Sequence, residues 1–112
     1  MDLLQLSKIA IQAARAAGKV IQNHMNDEIK VEKKTGGDSY ASQVVTAVDI
    51  ACEKVILSHL LPTCDEFNLA LLTEESVDNG SRFEEDYFWC IDPMDGTLAF
   101  IQGQPGFSVS VA

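Results

Sequence analysis

Apolar residues recur at spacings of three and four from Asp2 to about Met25, at Leu6, Ile9, Ala10, Ala13, Ala17, Val20 and Ile21. That period predicts an amphipathic helix with one packing face, and its alanines allow another element to come close. Asn26 to Lys34 is charged and leads into Thr35-Gly36-Gly37-Asp38-Ser39, a stretch of turn composition. Thr46 and Asp49 then stand at the spacing of a capping box, with an acid in place of the usual Glu or Gln, so a second helix is expected to open there. Val48, Ala51, Val55, Leu57 and Leu60 or Leu61 supply its core face. Pro62 is expected to end it at about Leu61, with a loop over 63–69.

Short apolar runs near 69–73, 87–92 and 107–112 predict three strands. In the last, Phe107, Val109 and Val111 alternate with Ser108 and Ser110, as in a half-buried strand. Polar residues 77–86 join the first two strands, with Asn79-Gly80 as a turn, and Gly103-Gln104-Pro105-Gly106 makes another. The fold class that follows is α+β, with two helices packed on one face of a mostly antiparallel sheet.

With 46% hydrophobic and 22% charged residues, the chain has the composition of a packed globular domain. Lys8, Arg15 and Lys19 interrupt the first helix, which therefore suits neither a signal peptide nor a membrane span, and the expected location is the cytoplasm. Cys52, Cys64 and Cys90 are odd in number and lack CxxC spacing, so neither a disulfide framework nor a zinc site is indicated. Seventeen acids against eight bases give a formal charge of −9, which argues against a nucleic-acid polymer as partner. A small phosphate ester is compatible with that charge, because bound divalent cations reverse the local field.

Candidate chemistry gathers at Trp89-Cys90-Ile91-Asp92-Pro93-Met94-Asp95-Gly96-Thr97. A buried strand over Tyr87 to Ile91 is expected to break at Pro93, which has no N–H for a ladder, and a helix to begin after Gly96. Two carboxylates three residues apart across such a turn can share hard cations, Mg²⁺ or Mn²⁺ rather than Zn²⁺. The Gly96 and Thr97 N–H groups at the helix start suit a phosphate. The plainer reading of D-P-x-D, an Asx turn whose side chain bonds its own backbone, stays open on these residues alone. Glu74-Glu75 at the end of the first strand reads either as a wet surface pair or as a neighbour of the Asp92 turn.

D-P-M-D-G-T after an aromatic-rich strand resembles the first signature of the inositol monophosphatase superfamily of Mg²⁺-dependent, lithium-sensitive phosphatases. L-L-T-E-E-S at 71–76 and V-T-A-V-D at 45–49 are similar to two upstream family motifs, in the same order. The resemblance implies the amino-terminal part of a layered α/β/α/β/α sugar-phosphatase fold. The family's second signature, W-D-x-A-x-G, is absent, so residues 1–112 are expected to be an amino-terminal metal-binding domain whose carboxy-terminal partner lies outside this chain. In the site so implied, Glu74, Asp92 and the Met94 carbonyl hold one Mg²⁺. Asp92, Asp95 and an aspartate of the missing signature hold a second, and the family uses two or three ions. Asp49, Glu74 and Thr97 are the implied catalytic residues, Asp49 orienting Thr97 towards the attacking water. Asp95, Gly96 and Thr97 are the implied substrate contacts. The loop containing Lys33, Lys34 and Asp38 either nears the substrate phosphate or is simply solvated.

The resemblance thus implies a phosphomonoesterase acting on inositol monophosphate or 3'-phosphoadenosine 5'-phosphate, with histidinol phosphate as an alternative. It implies no membrane partner and a homodimer at full length. Residues 98–101, Leu-Ala-Phe-Ile, differ from the T-N-F run common in inositol monophosphatases and lean towards the K-E-F-I of bisphosphate nucleotidases. A rival from another class is a metal- or partner-binding module without turnover. An EF-hand is the weakest reading, since no 12-residue loop with acids at alternating positions is present.

Overall fold

The computed structural model describes residues 1–25, 39–73, 80 and 83–112, with only the backbone of 39–46. The order of elements is α1 (Leu3–Met25), α2 (Ser39–Phe67), β1 (Ala70–Thr73), β2 (Phe88–Asp95), α3 (Thr97–Ile101) and β3 (Ser108–Val111). Asp2 starts α1 as an N-cap, its Oδ1 accepting the Gln5 N–H at 3.0 Å. The helix buries Leu6, Ala13, Ala17 and Ile21 against Val48, Cys52, Ile56 and Leu60 of α2. Both sets step mainly by four, so the ridges interdigitate, and small side chains at the crossing bring the backbones together. The Cys52 thiol there donates to the Ala17 carbonyl at 3.6 Å.

The second helix departs from expectation at both ends. It begins at Ser39, so Thr46 lies inside it and is not its cap, because nothing in 39–46 interrupts the helical backbone. It also passes through Pro62 and carries Cys64 within it, where a loop was expected. Pro62 and Ser58 are both exposed, so the Ser58 carbonyl that proline leaves without an N–H partner faces water. On the inner side, Thr63 Oγ1 donates to the Leu60 carbonyl at 2.6 Å and accepts from Trp89 Nε1 at 2.9 Å, pinning the last turns to the sheet. The helix stops at Asn68, whose φ of 54° is left-handed, with the Leu69 N–H bonding back to the Cys64 carbonyl at 3.1 Å.

The sheet has the order β1-β2-β3. It is mixed: β1 and β2 run parallel, Ala70 opposite Phe88 through Thr73 opposite Ile91, and β2 and β3 run antiparallel. The parallel pair reflects the connection over 74–87, long enough for the crossover of roughly a dozen residues or more that parallel strands need. Trp89 and Ile91 bury inward towards the helices, and Phe88 and Cys90 are exposed on the other face. Cys52 is buried, Cys64 half-buried and Cys90 exposed, all as free thiols. Among the described residues no helix is long and apolar enough to cross a membrane.

Candidate active site

Expected to break at Pro93, β2 instead continues to Asp95 through an irregularity. Asp92 faces Ser110 and Asp95 faces Ser108, so Pro93 and Met94 share the space opposite Val109. A bulge is the place in a central strand where a residue without an N–H is tolerated. Its chemical consequence concerns the two acids. In a regular strand, residues three apart point to opposite faces. The extra residue resets that alternation, and Asp92 and Asp95 stand opposite Ser110 and Ser108, which share one exposed face of β3. Pro93 and Met94 are buried between them.

Asp92 is half-buried, and its Oδ1 accepts the Met94 N–H at 3.2 Å. The Asx-type bond of the plainer reading is therefore present. It engages one carboxylate oxygen and orients the group, while Asp95 is exposed. On the other side of β2, β1 ends at Thr73 opposite Ile91, one residue short of Asp92. Glu74 lies outside the described residues, as do Glu75, Lys33, Lys34 and Asp38. Among the described residues no three His, Cys, Asp or Glu side chains are grouped to hold a metal ion. The donors at the bulge are all oxygens, one carboxylate oriented and half-buried and the other exposed, and this set fits a hard divalent cation.

Gly96 follows at φ 84° and serves as N-cap of α3 without a side-chain cap bond. A Cβ here would run into the Gly106 carbonyl and come within 3.0 Å of Phe107 Cα, so only glycine fits. Thr97 is half-buried at the first position of α3. Asp49 sits 7% exposed on α2, an element in contact with α3. Burial first, and then the Asp49 carboxylate, push the Cys52 thiol up to about 11.

Sequence reasoning passed over several residues that the structure pairs with these elements or buries. Ser108 and Ser110 were read only as the polar half of an alternating strand, and their register against the aspartates has no sequence signal. Glu53, 7% exposed and one turn after Asp49, was also passed over. Two acids at i and i+4 on an otherwise apolar helix face were the available sign. Gly106 and Phe107 were read as a turn and a strand start, with nothing local to mark their approach to Gly96.

The model of a family described as the inositol monophosphatase family matches residues 2–112. Nus factor SuhB of Pseudomonas aeruginosa is 40% identical over 107 residues, covering 93% of this chain and 37% of that protein. A Thermotoga maritima protein named fructose-1,6-bisphosphatase/inositol-1-monophosphatase is 34% identical over 113 residues, covering 100% of this chain and 39% of its own length. The structure of CysQ from Bacteroides thetaiotaomicron, described as a bacterial member of the inositol monophosphatase family, superposes with a TM-score of 0.75. It is 29% identical and covers 98% of this chain and 38% of that one. The chain thus spans less than two-fifths of the curated relatives described above.

Proposed function

The chain belongs to the inositol monophosphatase family, and on that footing we propose that the protein carrying it is a Mg²⁺-dependent phosphomonoesterase acting on a small phosphate ester. The observation that carries this reading is the bulge, which sets Asp92 and Asp95 on one face beside the Gly96 turn. Asp92, Glu74 and the Met94 carbonyl would hold one Mg²⁺, and Asp92 and Asp95, with an aspartate outside these residues, a second. When bound, the ions lower the pKa of the attacking water and offset the charge on the leaving oxygen.

The remaining work falls to the chain's own groups. Thr97 Oγ1, oriented by Asp49, would accept a proton from the water as its own hydroxyl proton passes to the Asp49 carboxylate, with Glu74 as the water's other contact. The Gly96 and Thr97 N–H groups and Asp95 position the ester. Lithium sensitivity, a cytoplasmic location and a full-length homodimer belong to the same proposal. Residues 1–112 alone, lacking one metal-binding aspartate, would bind Mg²⁺ weakly and hydrolyse little.

A second reading, a partner-binding role without turnover, is favoured by the similarity to a protein named Nus factor SuhB. Phosphate release by the full-length protein from inositol 1-phosphate, 3'-phosphoadenosine 5'-phosphate and histidinol phosphate separates the two. Mg²⁺-dependent hydrolysis of at least one supports the enzyme. None hydrolysed by a folded, Mg²⁺-loaded protein supports the binding module.

A further inference from the structure

We propose that Phe107, with Gly106, is a positioning element for the Asp95–Thr97 turn, holding the two site residues that flank Gly96 at a fixed angle. The inference rests on the phosphatase reading for the identity of the site and adds residues that reading does not use. α3 has five residues and no side-chain cap, too short to hold itself in water, where a helix under roughly a dozen residues is marginal. Its orientation must therefore come from tertiary contacts.

Besides α2, one short segment supplies such contacts. Phe100 of α3 is 4% exposed, and its ring meets that of Phe107 edge to face, with centroids 5.5 Å apart and planes at 90°. One turn earlier, Gly96 lies against the Gly106 carbonyl and Phe107 Cα. The next residue, Ser108, pairs with Asp95. Residues 106–108 thus touch the turn before, at and after its glycine.

The connection that makes this return is itself closed, the Gly103 N–H bonding the Phe100 carbonyl at 3.1 Å and the Gln104 N–H the Ala99 carbonyl at 2.9 Å. Phe107 also lines a cleft with Ile21 and Met25 at the end of α1. Through it the turn is referred to the helical layer as well as to its own strand. Leucine at 107 would keep apolar bulk and lose the edge-to-face contact, whereas tyrosine would keep the ring.

The test compares Phe107→Leu with Phe107→Tyr in the full-length protein, using Mn²⁺ binding by electron paramagnetic resonance without substrate, beside kcat and KM. Phe107→Leu is expected to weaken Mn²⁺ binding about tenfold or more, the scale seen when a group supporting metal ligands is lost. It should lower kcat more than it raises KM, and Phe107→Tyr should restore both. Leu6→Ala, a core change beside Leu69 and Trp89 at the opposite end of β2, controls for general destabilisation. Should Phe107→Leu fail to fold, Phe107→Met carries the same comparison.

Unchanged Mn²⁺ binding in a folded Phe107 variant overturns the proposal, as does an equal loss in Leu6→Ala. If Phe107→Leu weakens Mn²⁺ binding but the parent hydrolyses no ester, the positioning role stands and the phosphatase reading fails. If the parent hydrolyses an ester and Phe107→Leu changes nothing, the positioning role fails alone.

Discussion

Thr73 stands opposite Ile91 in the parallel pairing of β1 and β2, at the point where β1 ends and β2 runs on to Asp95. The residue after each is an acid, Glu74 and Asp92. α/β proteins place ligands beyond the carboxyl end of a parallel strand such as β1, and the proposed site counts Glu74 among the Mg²⁺ ligands. Glu74→Gln is therefore expected to raise the Mg²⁺ concentration needed for half-maximal activity and to cut kcat/KM by about a hundredfold, the upper end of what losing a supporting partner costs. A Mg²⁺ titration of activity checks it, and an unaltered midpoint removes Glu74 from the site.

Gly96→Ala should destabilise the fold as well as the site. The left-handed φ of 84° costs a residue with a Cβ about 1–2 kcal/mol, and collision with backbone at Gly106 and Phe107 adds to it. Urea unfolding should show a loss of at least about 2 kcal/mol on these grounds. A variant as stable as the parent would mean that 106–107 moves aside freely.

Trp89 and Thr63 form a chain in which each hydroxyl and N–H has a partner, ending at the Leu60 carbonyl. Trp89→Phe leaves Thr63 still donating to Leu60 and should cost about 1 kcal/mol from the hydrogen bond, beyond lost packing. Thr63→Val strands the buried indole N–H and should cost more, about 1–3 kcal/mol. A double-mutant cycle measured by urea unfolding isolates the pair, and a coupling near zero would make the bond incidental.

Alkaline stability should depend on Cys52. Its thiol ordinarily ionises at 9.0 and in the fold at about 11, raised by burial and then by Asp49. Below pH 9.0 the thiol is neutral in both states and costs nothing. Above it the unfolded chain gives up the proton first, so this contribution to stability is lost as pH rises through the window to about 11. Cys52→Ala should lose less stability than the parent across that window in urea titrations. Parallel curves would show that the thiol stays un-ionised in neither state more than the other.

Thr97→Ala should lower kcat by about a hundredfold or more, as loss of a positioned proton acceptor does, with a smaller change in KM. Steady-state kinetics checks the split, and a change confined to KM would make Thr97 a binding residue only.

Much of this was legible in the residues. The spacing of Leu6, Ala13, Ala17 and Ile21 marks α1, and the Val109/Val111 alternation marks β3, because each pattern is local. Pro62 and Pro93 were misread for a common reason. A proline's cost depends on whether the carbonyl it abandons meets water, or whether a bulge absorbs the missing N–H, and both depend on the surroundings. The acids proposed for the site stand out in the sequence by their spacing. That they share a face does not, since Asp92 and Asp95 owe it to register against Ser110 and Ser108. Phe107 was invisible as a support for Gly96 because the chain must close a loop to bring them together.

The most direct test of the central claim is Mg²⁺-dependent phosphate release by the full-length protein with Asp95 and with Asp95→Asn, at saturating Mg²⁺ and on whichever ester the parent hydrolyses. An amide keeps the shape of the exposed Asp95 side chain and removes the charge that a shared cation needs. The account predicts a variant with the parent's unfolding midpoint and most of its activity gone. Turnover equal to the parent's would contradict it.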